Sequence, residues 1–450
     1  MAGIFGTDGV RAHINTGPMR AEFVVRIALA AGSYFIQQQD SLKRARNTRP
    51  LVVIGKDTRL SGYMLEAALV AGFTSIGMDC RLTGPVPTAA VAHLTHSIRA
   101  DLGVMISASH NPHHDNGIKL FGPDGQKLDD AVENEISKLV QGSIALADAS
   151  DIGRARRMLT SDARYQEFAK STFPRGMQLD NLKIVVDCAH GASYRTAPET
   201  LFELGADVVA MGVSPDGMNI NDGVGATEPQ ALAARVVEEG ADIGIALDGD
   251  ADRLMLVDET GKVCDGDTVL AALGTEMASN GLLRGPVIGT LMSNLGLERY
   301  LADQSIGFAR AKVGDRYIHE MLKAQNGNLG GEPSGHILLP DHTRSGDGLI
   351  AALQVLALLV RGKQKASEAL NLFERVPQKL KNLTDIDKAL LKEDHIQKLV
   401  SEIEADFAGE GRVLLRPSGT EPLVRVMVEA LDETRLDTAM DRLCDALIAG

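Results

Sequence analysis

Three aspartates stand at alternate positions in Leu247-Asp-Gly-Asp-Ala-Asp-Arg253. In an extended loop, alternate side chains face the same way, so Asp248, Asp250 and Asp252 can converge. Carboxylates this close repel one another unless a cation sits among them, and hard oxygen ligands suit Mg2+ or Ca2+. Glu259 stands at the twelfth position counted from Asp248, as an EF-hand calcium loop needs. However, Arg253 holds the sixth position, where glycine is required, and Leu-Met-Leu-Val follows as a strand. The EF-hand reading is therefore disfavoured.

A second string runs from Ile106 to Phe121 and contains Ser107-Ala-Ser-His-Asn-Pro112. Ser109 follows an apolar strand and has small neighbours, so its hydroxyl can be offered to a substrate. A plain Ser/Asn/Pro turn is the structural alternative. The GxSxG elbow is absent, which leaves acyl transfer unsupported. Gly330-Gly-Glu-Pro-Ser-Gly-His336 carries Glu332, Ser334 and His336 on a glycine-bearing loop able to hydrogen-bond sugar hydroxyls. By itself it also reads as an ordinary turn. In Arg416-Pro-Ser-Gly-Thr-Glu-Pro, Ser418, Gly419 and Thr420 offer hydroxyls and backbone N–H groups to a phosphate. Arg416 and Arg425 add charge and fork geometry. Arg11 follows a glycine-rich turn in the N-terminal Phe-Gly-Thr-Asp-Gly-Val-Arg, and Lys56, Arg59 and Ser61 lie on a further strand-to-helix loop. Alone, each of these last two strings reads equally well as a solvated loop.

Such loops need a frame. Apolar strands such as Leu51–Gly55, Lys183–Asp187 and Gly285–Asn294 are each followed by a polar loop and a helical pattern. That alternation predicts α/β units with mostly parallel sheets. The units repeat: Asp101–Ser109 aligns with Asp242–Asp250, and Asn328–His336 is a weaker third copy. Ligands of open α/β sheets sit beyond the carboxyl ends of strands, so three related units can each present one loop to a shared site. The final segment is different: two strands flank the Arg416–Pro422 string, and a helix starts near Glu433, giving a small α+β domain. The 450 residues suggest about three domains by length alone. The pattern places boundaries near residues 155, 255 and 370.

The net charge of −14 argues against nucleic acid or an anionic membrane as partner, and tryptophan is absent. No signal peptide is read at the N-terminus. The longest apolar run, Leu349–Val360, is too short for a bilayer and reads as a buried helix. Cys80, Cys188, Cys264 and Cys444 form no CxxC pair, which fits reduced thiols in the cytoplasm.

Four of these strings, in this order and across nearly the whole chain, resemble the α-D-phosphohexomutase superfamily. Within it the sequence is most similar to bacterial phosphoglucosamine mutases, through its start, Lys56-Asp-Thr-Arg-Leu-Ser-Gly62, Pro333 in the sugar loop, and Leu414–Glu429. Two departures occur: Ala12 and Ala251 stand where glycine is usual. The resemblance implies three related α/β domains with mixed sheets and a C-terminal α+β domain around a central cleft. Their spans are 1–155, 156–255, 256–370 and 371–450. It implies a phosphoserine at Ser109 and Mg2+ held by Ser109, Asp248, Asp250 and Asp252. Arg253, Glu332, Ser334 and His336 would bind the sugar, while Arg416, Ser418, Gly419, Thr420 and Arg425 would grip its distal phosphate. Lys119, crowded by Arg11 and metal, is the first candidate for general base, its pKa lowered. His110 and His336 are the alternative bases, His110 equally able to orient Ser109, and Lys312 and Arg316 would complete the basic lining.

The implied reaction interconverts glucosamine 6-phosphate and glucosamine 1-phosphate, primed by glucosamine or glucose 1,6-bisphosphate, and supplies UDP-N-acetylglucosamine synthesis. The same machinery acting on mannose or glucose phosphates, and a non-enzymatic sugar-phosphate sensor, are the rival readings. The partner is a small sugar phosphate, and a homodimer is compatible with the sequence.

Overall fold

Strand Leu51–Lys56 is buried at every residue but the first, as expected of a parallel strand covered on both faces. It pairs in parallel with Asp79–Pro85 and with Leu102–Ile106. The latter turns back antiparallel into Asp115–Phe121, which in turn receives Val10–His13. This arrangement comes from a computed structural model that describes residues 4–6, 8–38, 48–417 and 423–449. A second sheet repeats it: Lys183–Asp187 lies parallel to Asp207–Met211 and Ile243–Leu247, and the latter returns as Leu254–Asp258. A third does so in shorter strands. Val287–Thr290 lies parallel to Phe308–Ala311 and Gly330–Gly331, and Gly330–Gly331 returns as Ile337–Leu338. Three equivalent hairpin connections therefore leave the carboxyl ends of three equivalent strands. They carry Ser109, the three aspartates, and Glu332 with Ser334 and His336.

The same hydrogen bonds recur in the three units and explain the sequence repeat. The Asp101 carboxylate accepts from Leu51 N at 2.8 Å, and that of Asp242 from Lys183 N at 2.8 Å. In the third unit, the Asn328 amide oxygen accepts from Arg284 N at 2.8 Å. Each residue precedes the loop-bearing strand and ties it to the start of its parallel neighbour. At the far end of that neighbour, Asp57, Asp187 and Thr290 accept from the backbone N–H two residues ahead, at 3.0, 2.9 and 3.2 Å. These side chains satisfy backbone donors that leave the sheet.

A fourth sheet brings the total to one more than length alone suggested. It is antiparallel, with Leu423–Ala430 between Gln378–Thr384 and Gly411–Pro417. Helices Asp394–Phe407 and Glu433–Ala449 cover it through Val424, Val426, Leu436 and Leu443. The strand Gln378–Thr384 was not anticipated: it is a largely exposed edge rich in lysine and lacks an apolar face to read.

One apolar cluster spans the first three units and includes Val53, Ile184, Leu254 and Leu356, while Val52, Ile54, Leu102 and Val104 of the first unit pack in a second cluster on the other side of its sheet. Helix Gly348–Gly362 runs through the spanning cluster, as its apolar run predicted. Among the described residues, no helix is long and apolar enough to cross a membrane. All four cysteines are buried free thiols.

Candidate active site

Ser109 follows its strand in the left-handed backbone region, φ +52, and is 1% exposed. Its hydroxyl donates to Asp248 Oδ2 at 2.6 Å and lies 3.3 Å from His110 Nδ1. The aspartate loop approaches the serine loop so closely that a Cβ on Gly249 would lie 2.6 Å from the Ser109 carbonyl oxygen. Only glycine fits there. Asp248, Asp250 and Asp252 are buried, and one carboxylate oxygen from each lies within 4.8 Å of the others.

These three carboxylates have unequal surroundings. Burial, then Asp252 and Asp250, pushes Asp248 up to about 7. Burial also opposes ionisation of Asp252, but Lys119, His336 and Arg253 override it and hold that carboxyl well below the usual range. Lys119 Nζ donates to Asp250 Oδ2 at 2.8 Å and to Asp252 Oδ2 at 2.9 Å, and Thr88 Oγ1 donates to Asp250 Oδ2 at 2.5 Å. Asp250 Oδ1 and Asp252 Oδ1 are buried with no hydrogen-bond partner among the described residues. Buried acceptors left in this way, beside a third carboxylate whose ionisation its neighbours oppose, fit a hard divalent cation.

Lys119 departs from expectation. Burial opposes its charge, but Asp250, Asp252 and Asp8 outweigh burial and raise its pKa well above the ordinary value. The expected lowering is absent because three carboxylates, not arginines, dominate around the ammonium. Asp8 was missed as a site residue, although it lies in the Arg11 string. It pairs with Arg11, Lys119 and Lys127, and Lys127 also pairs with Asp315 of the third unit. His110 is held at about 4, by burial first and then by Arg253 and Arg11, so its imidazole is neutral near pH 7.

The third loop closes over this cluster. Arg253 and His336 form an isolated antiparallel bridge, and Arg253 N donates to Asp248 Oδ1 at 3.1 Å. His336 Nδ1 lies 3.6 Å from Asp252 Oδ1, an ionic contact longer than a hydrogen bond. Burial works against its charge, yet Asp252 and Asp315 raise its pKa. Glu332 accepts from Gly314 N at 2.8 Å and from Ser334 Oγ at 3.2 Å. Arg416 and Arg425 stand opposite each other on paired strands of the fourth sheet. Burial and then Arg425 lower the Arg416 pKa, while Glu332 counters them.

The structure thus assembles Ser109, His110, Lys119, Arg11, the three aspartates, Arg253 and His336, with Glu332 and Ser334 on the loop above them; Arg416 and Arg425 sit together on the fourth sheet. Ser418, Gly419 and Thr420 lie outside the described residues. Arg316 turns elsewhere, to Asp130, Glu133 and Glu320, and Lys312 packs over the Tyr317 ring. Thr88 had no motif to announce it; Lys127 and Asp315 find their roles only across the boundary between units.

Models of the phosphoglucomutase/phosphomannomutase domains match in order along the chain. Alpha/beta/alpha domains I, II and III cover residues 2–145, 163–261 and 265–376, and the C-terminal domain covers 374–446. The chain belongs to the phosphohexomutase family. It is 54% identical to a phosphoglucosamine mutase of Paracoccus denitrificans over 446 residues, which is 99% of this chain and 98% of that one. Among solved structures, a phosphoglucomutase/phosphomannomutase family protein of Burkholderia thailandensis superposes with a TM-score of 0.81 at 24% identity, covering 99% and 97% of the two chains. An N-acetylphosphoglucosamine mutase of Aspergillus fumigatus, solved with GlcNAc-6P and magnesium, gives 0.67 at 18% identity over 98% and 95%. As a phosphohexomutase, the chain has the expected plan of three related α/β units and a C-terminal α+β unit.

Proposed function

We propose that this phosphohexomutase interconverts glucosamine 6-phosphate and glucosamine 1-phosphate, with Ser109 carrying the phosphate that is exchanged. The observation behind this reading is the buried Ser109 hydroxyl bonded to one of three converging aspartates, in a chain 54% identical to a phosphoglucosamine mutase. Asp248, Asp250, Asp252 and Ser109 would hold Mg2+, which supplies positive charge to a phosphoryl group in transfer.

The chain's own groups do the rest. The bond from Ser109 Oγ to phosphorus breaks as a sugar hydroxyl oxygen bonds to it, and the proton that hydroxyl gives up ends on Oγ, giving the 1,6-bisphosphate and a free serine hydroxyl. The sugar then turns end for end and returns its other phosphate to Ser109. His110, neutral and 3.3 Å from Oγ, is placed to exchange the proton that Oγ gains and loses. Lys119, whose Nζ lies 2.8 Å from Asp250 and 2.9 Å from Asp252, adds positive charge beside the transferring group. Glu332 and Ser334 receive the sugar hydroxyls, and Arg416 and Arg425, with the Ser418–Thr420 loop, grip the distal phosphate. The product feeds UDP-N-acetylglucosamine synthesis in the cytoplasm.

The test is an assay with Mg2+ and a bisphosphate primer, comparing glucosamine, glucose and mannose 6-phosphates by kcat/KM. Glucosamine 6-phosphate is expected to be preferred. A preference for mannose or glucose would move the chain to another substrate within the family. Ser109→Ala is expected to lose both turnover and covalent phosphate, and wild-type activity in that variant would refute the phosphoserine mechanism.

A further inference from the structure

The Lys56–Gly62 string has no part in the chemistry described so far, yet it holds one of the most deeply buried charges in the molecule. Arg59 is 1% exposed. Its Nε donates to Asp57 Oδ2 at 2.8 Å. Its guanidinium also donates to four backbone carbonyls of the serine loop: Ser109 at 2.9 Å, Asn111 at 2.7 Å, Asp115 at 3.2 Å, and Pro112. Asn221, from the second α/β unit, donates through Nδ2 to two of the same carbonyls, Ser109 at 3.0 Å and Asn111 at 3.2 Å. Asp57 Oδ2 also accepts from Ser107 Oγ at 2.7 Å, and that oxygen accepts from Ser109 N at 2.9 Å. Both backbone polar groups of Ser109 are therefore fixed, the N–H by Ser107 and the carbonyl by a guanidinium and an amide from different units.

The chemistry gives this a purpose. Ser109 sits at φ +52, a conformation that a residue with a Cβ keeps only when its surroundings impose it. A carbonyl oxygen carries partial negative charge and would repel a phosphoserine dianion that it faced. Arg59 and Asn221 draw the Ser109 and Asn111 carbonyls to themselves, leaving Oγ to face Asp248.

We propose that Arg59 and Asn221 are positioning residues for the phosphoryl transfer. They lock the serine loop in its left-handed turn, so that presentation of Ser109 depends on the second unit as well as the first. The inference rests on the reading of Ser109 as the phosphate carrier.

Asn221 itself lies at φ +58, so Asn221→Gly removes the amide and leaves a backbone that glycine accepts without strain. Asn221→Asp keeps the shape but turns a carboxylate toward two carbonyls. Arg59→Lys keeps the charge beside Asp57 with a point ammonium that cannot span four carbonyls. Both Asn221 variants are expected to lower kcat about 10- to 100-fold, the range for a misaligned reacting group. KM for the sugar phosphate and the melting temperature should stay near wild type, and the 31P resonance of the Ser109 phosphate should shift. Arg59→Lys should reproduce the kcat and 31P effects. Wild-type kcat and an unshifted resonance in Asn221→Gly would overturn the proposal. So would a loss in Asn221→Gly that simply follows its melting temperature while Asn221→Asp stays active. Ser109→Ala run in parallel separates the two ideas: activity in that variant refutes the phosphate carrier, whereas an inert Ser109→Ala beside a fully active Asn221→Gly refutes the clamp alone.

Discussion

Ala251 carries a methyl group into a left-handed backbone position, φ +59, at the centre of the aspartate loop. Glycine is the residue expected there, and the structure shows the reason: the turn that aims Asp250 and Asp252 inward needs this conformation. An alanine in it costs on the order of 1–2 kcal/mol, while a glycine costs about 0.5–1 kcal/mol more chain entropy on folding. Ala251→Gly is therefore expected to stabilise the protein by up to about 1.5 kcal/mol, from the difference between those terms. A melting curve would show it, and kcat should be unchanged because no charged group moves. A lower melting temperature would mean that the Ala251 methyl, 1% exposed, contributes more by packing than the backbone loses. At this scale the alternate aspartates were readable as converging, and their oxygens lie within 4.8 Å of one another, whereas Ser109 read by itself was as good a turn residue until the fold set its hydroxyl on Asp248. Asp8 and Asn221 were not readable as site residues. A single acid or amide in a glycine-rich stretch gains its meaning only from what another strand or another unit places beside it.

Helix Gly348–Gly362 shows what its apolar pattern revealed and what it hid. The run of apolar residues announced a buried helix, and 11 of its residues are buried. The pattern said nothing of how its first turn is anchored. Asp347 caps the helix, accepting from Ile350 N at 3.0 Å, and the buried Tyr165 hydroxyl donates to both of its carboxylate oxygens at 3.0 Å. Burial raises the Asp347 carboxyl from an ordinary 3.8 to about 6, with Ile350 N and Tyr165 pulling the other way. The folded state thus binds this proton more tightly than the unfolded chain does. The associated stability is fully present below pH 3.8 and is lost as pH rises through about 6. Asp347→Asn keeps an acceptor for Ile350 N and Tyr165 but does not titrate. Its melting temperature is expected to gain on wild type as pH is raised across that window, and a constant difference would show that the Asp347 carboxyl is not raised. Asp347→Ala should cost roughly 2–4 kcal/mol, since it removes a cap and strands a buried hydroxyl.

At the scale of the whole molecule, the repeat was legible because each unit must solve the same problem, tying a loop-bearing strand to its neighbour, and does so with Asp101, Asp242 or Asn328. The junction between the third and fourth units was not legible, since its bonds join residues far apart in sequence. Asn294, fully buried, holds it. Its amide oxygen accepts from Val376 N and Gly296 N, each at 2.9 Å, and its amide nitrogen donates to Val376 O and Glu429 Oε1, each at 3.0 Å. Arg412 pairs with the same buried Glu429 and donates to the carbonyls of Leu291 and Ser293 at 2.9 and 2.7 Å. The fourth sheet, with Arg416 and Arg425, is thus fixed to the third unit largely by polar bonds. Truncating Asn294 leaves several buried groups unsatisfied, and each costs about 1–3 kcal/mol. That loss falls on the junction, not on the core shared by the first three units. Asn294→Ala is therefore expected to speed amide hydrogen exchange in Gly411–Pro417 and Leu423–Ala430 well before it affects Leu51–Lys56 or Ile243–Leu247. KM for the sugar phosphate should rise about tenfold, the cost of roughly 1.4 kcal/mol in placing the distal phosphate grip, while phosphate on Ser109 is retained. Uniform exchange across all four sheets would show that Asn294 supports the whole fold, and the fourth unit would then have no separate attachment to loosen.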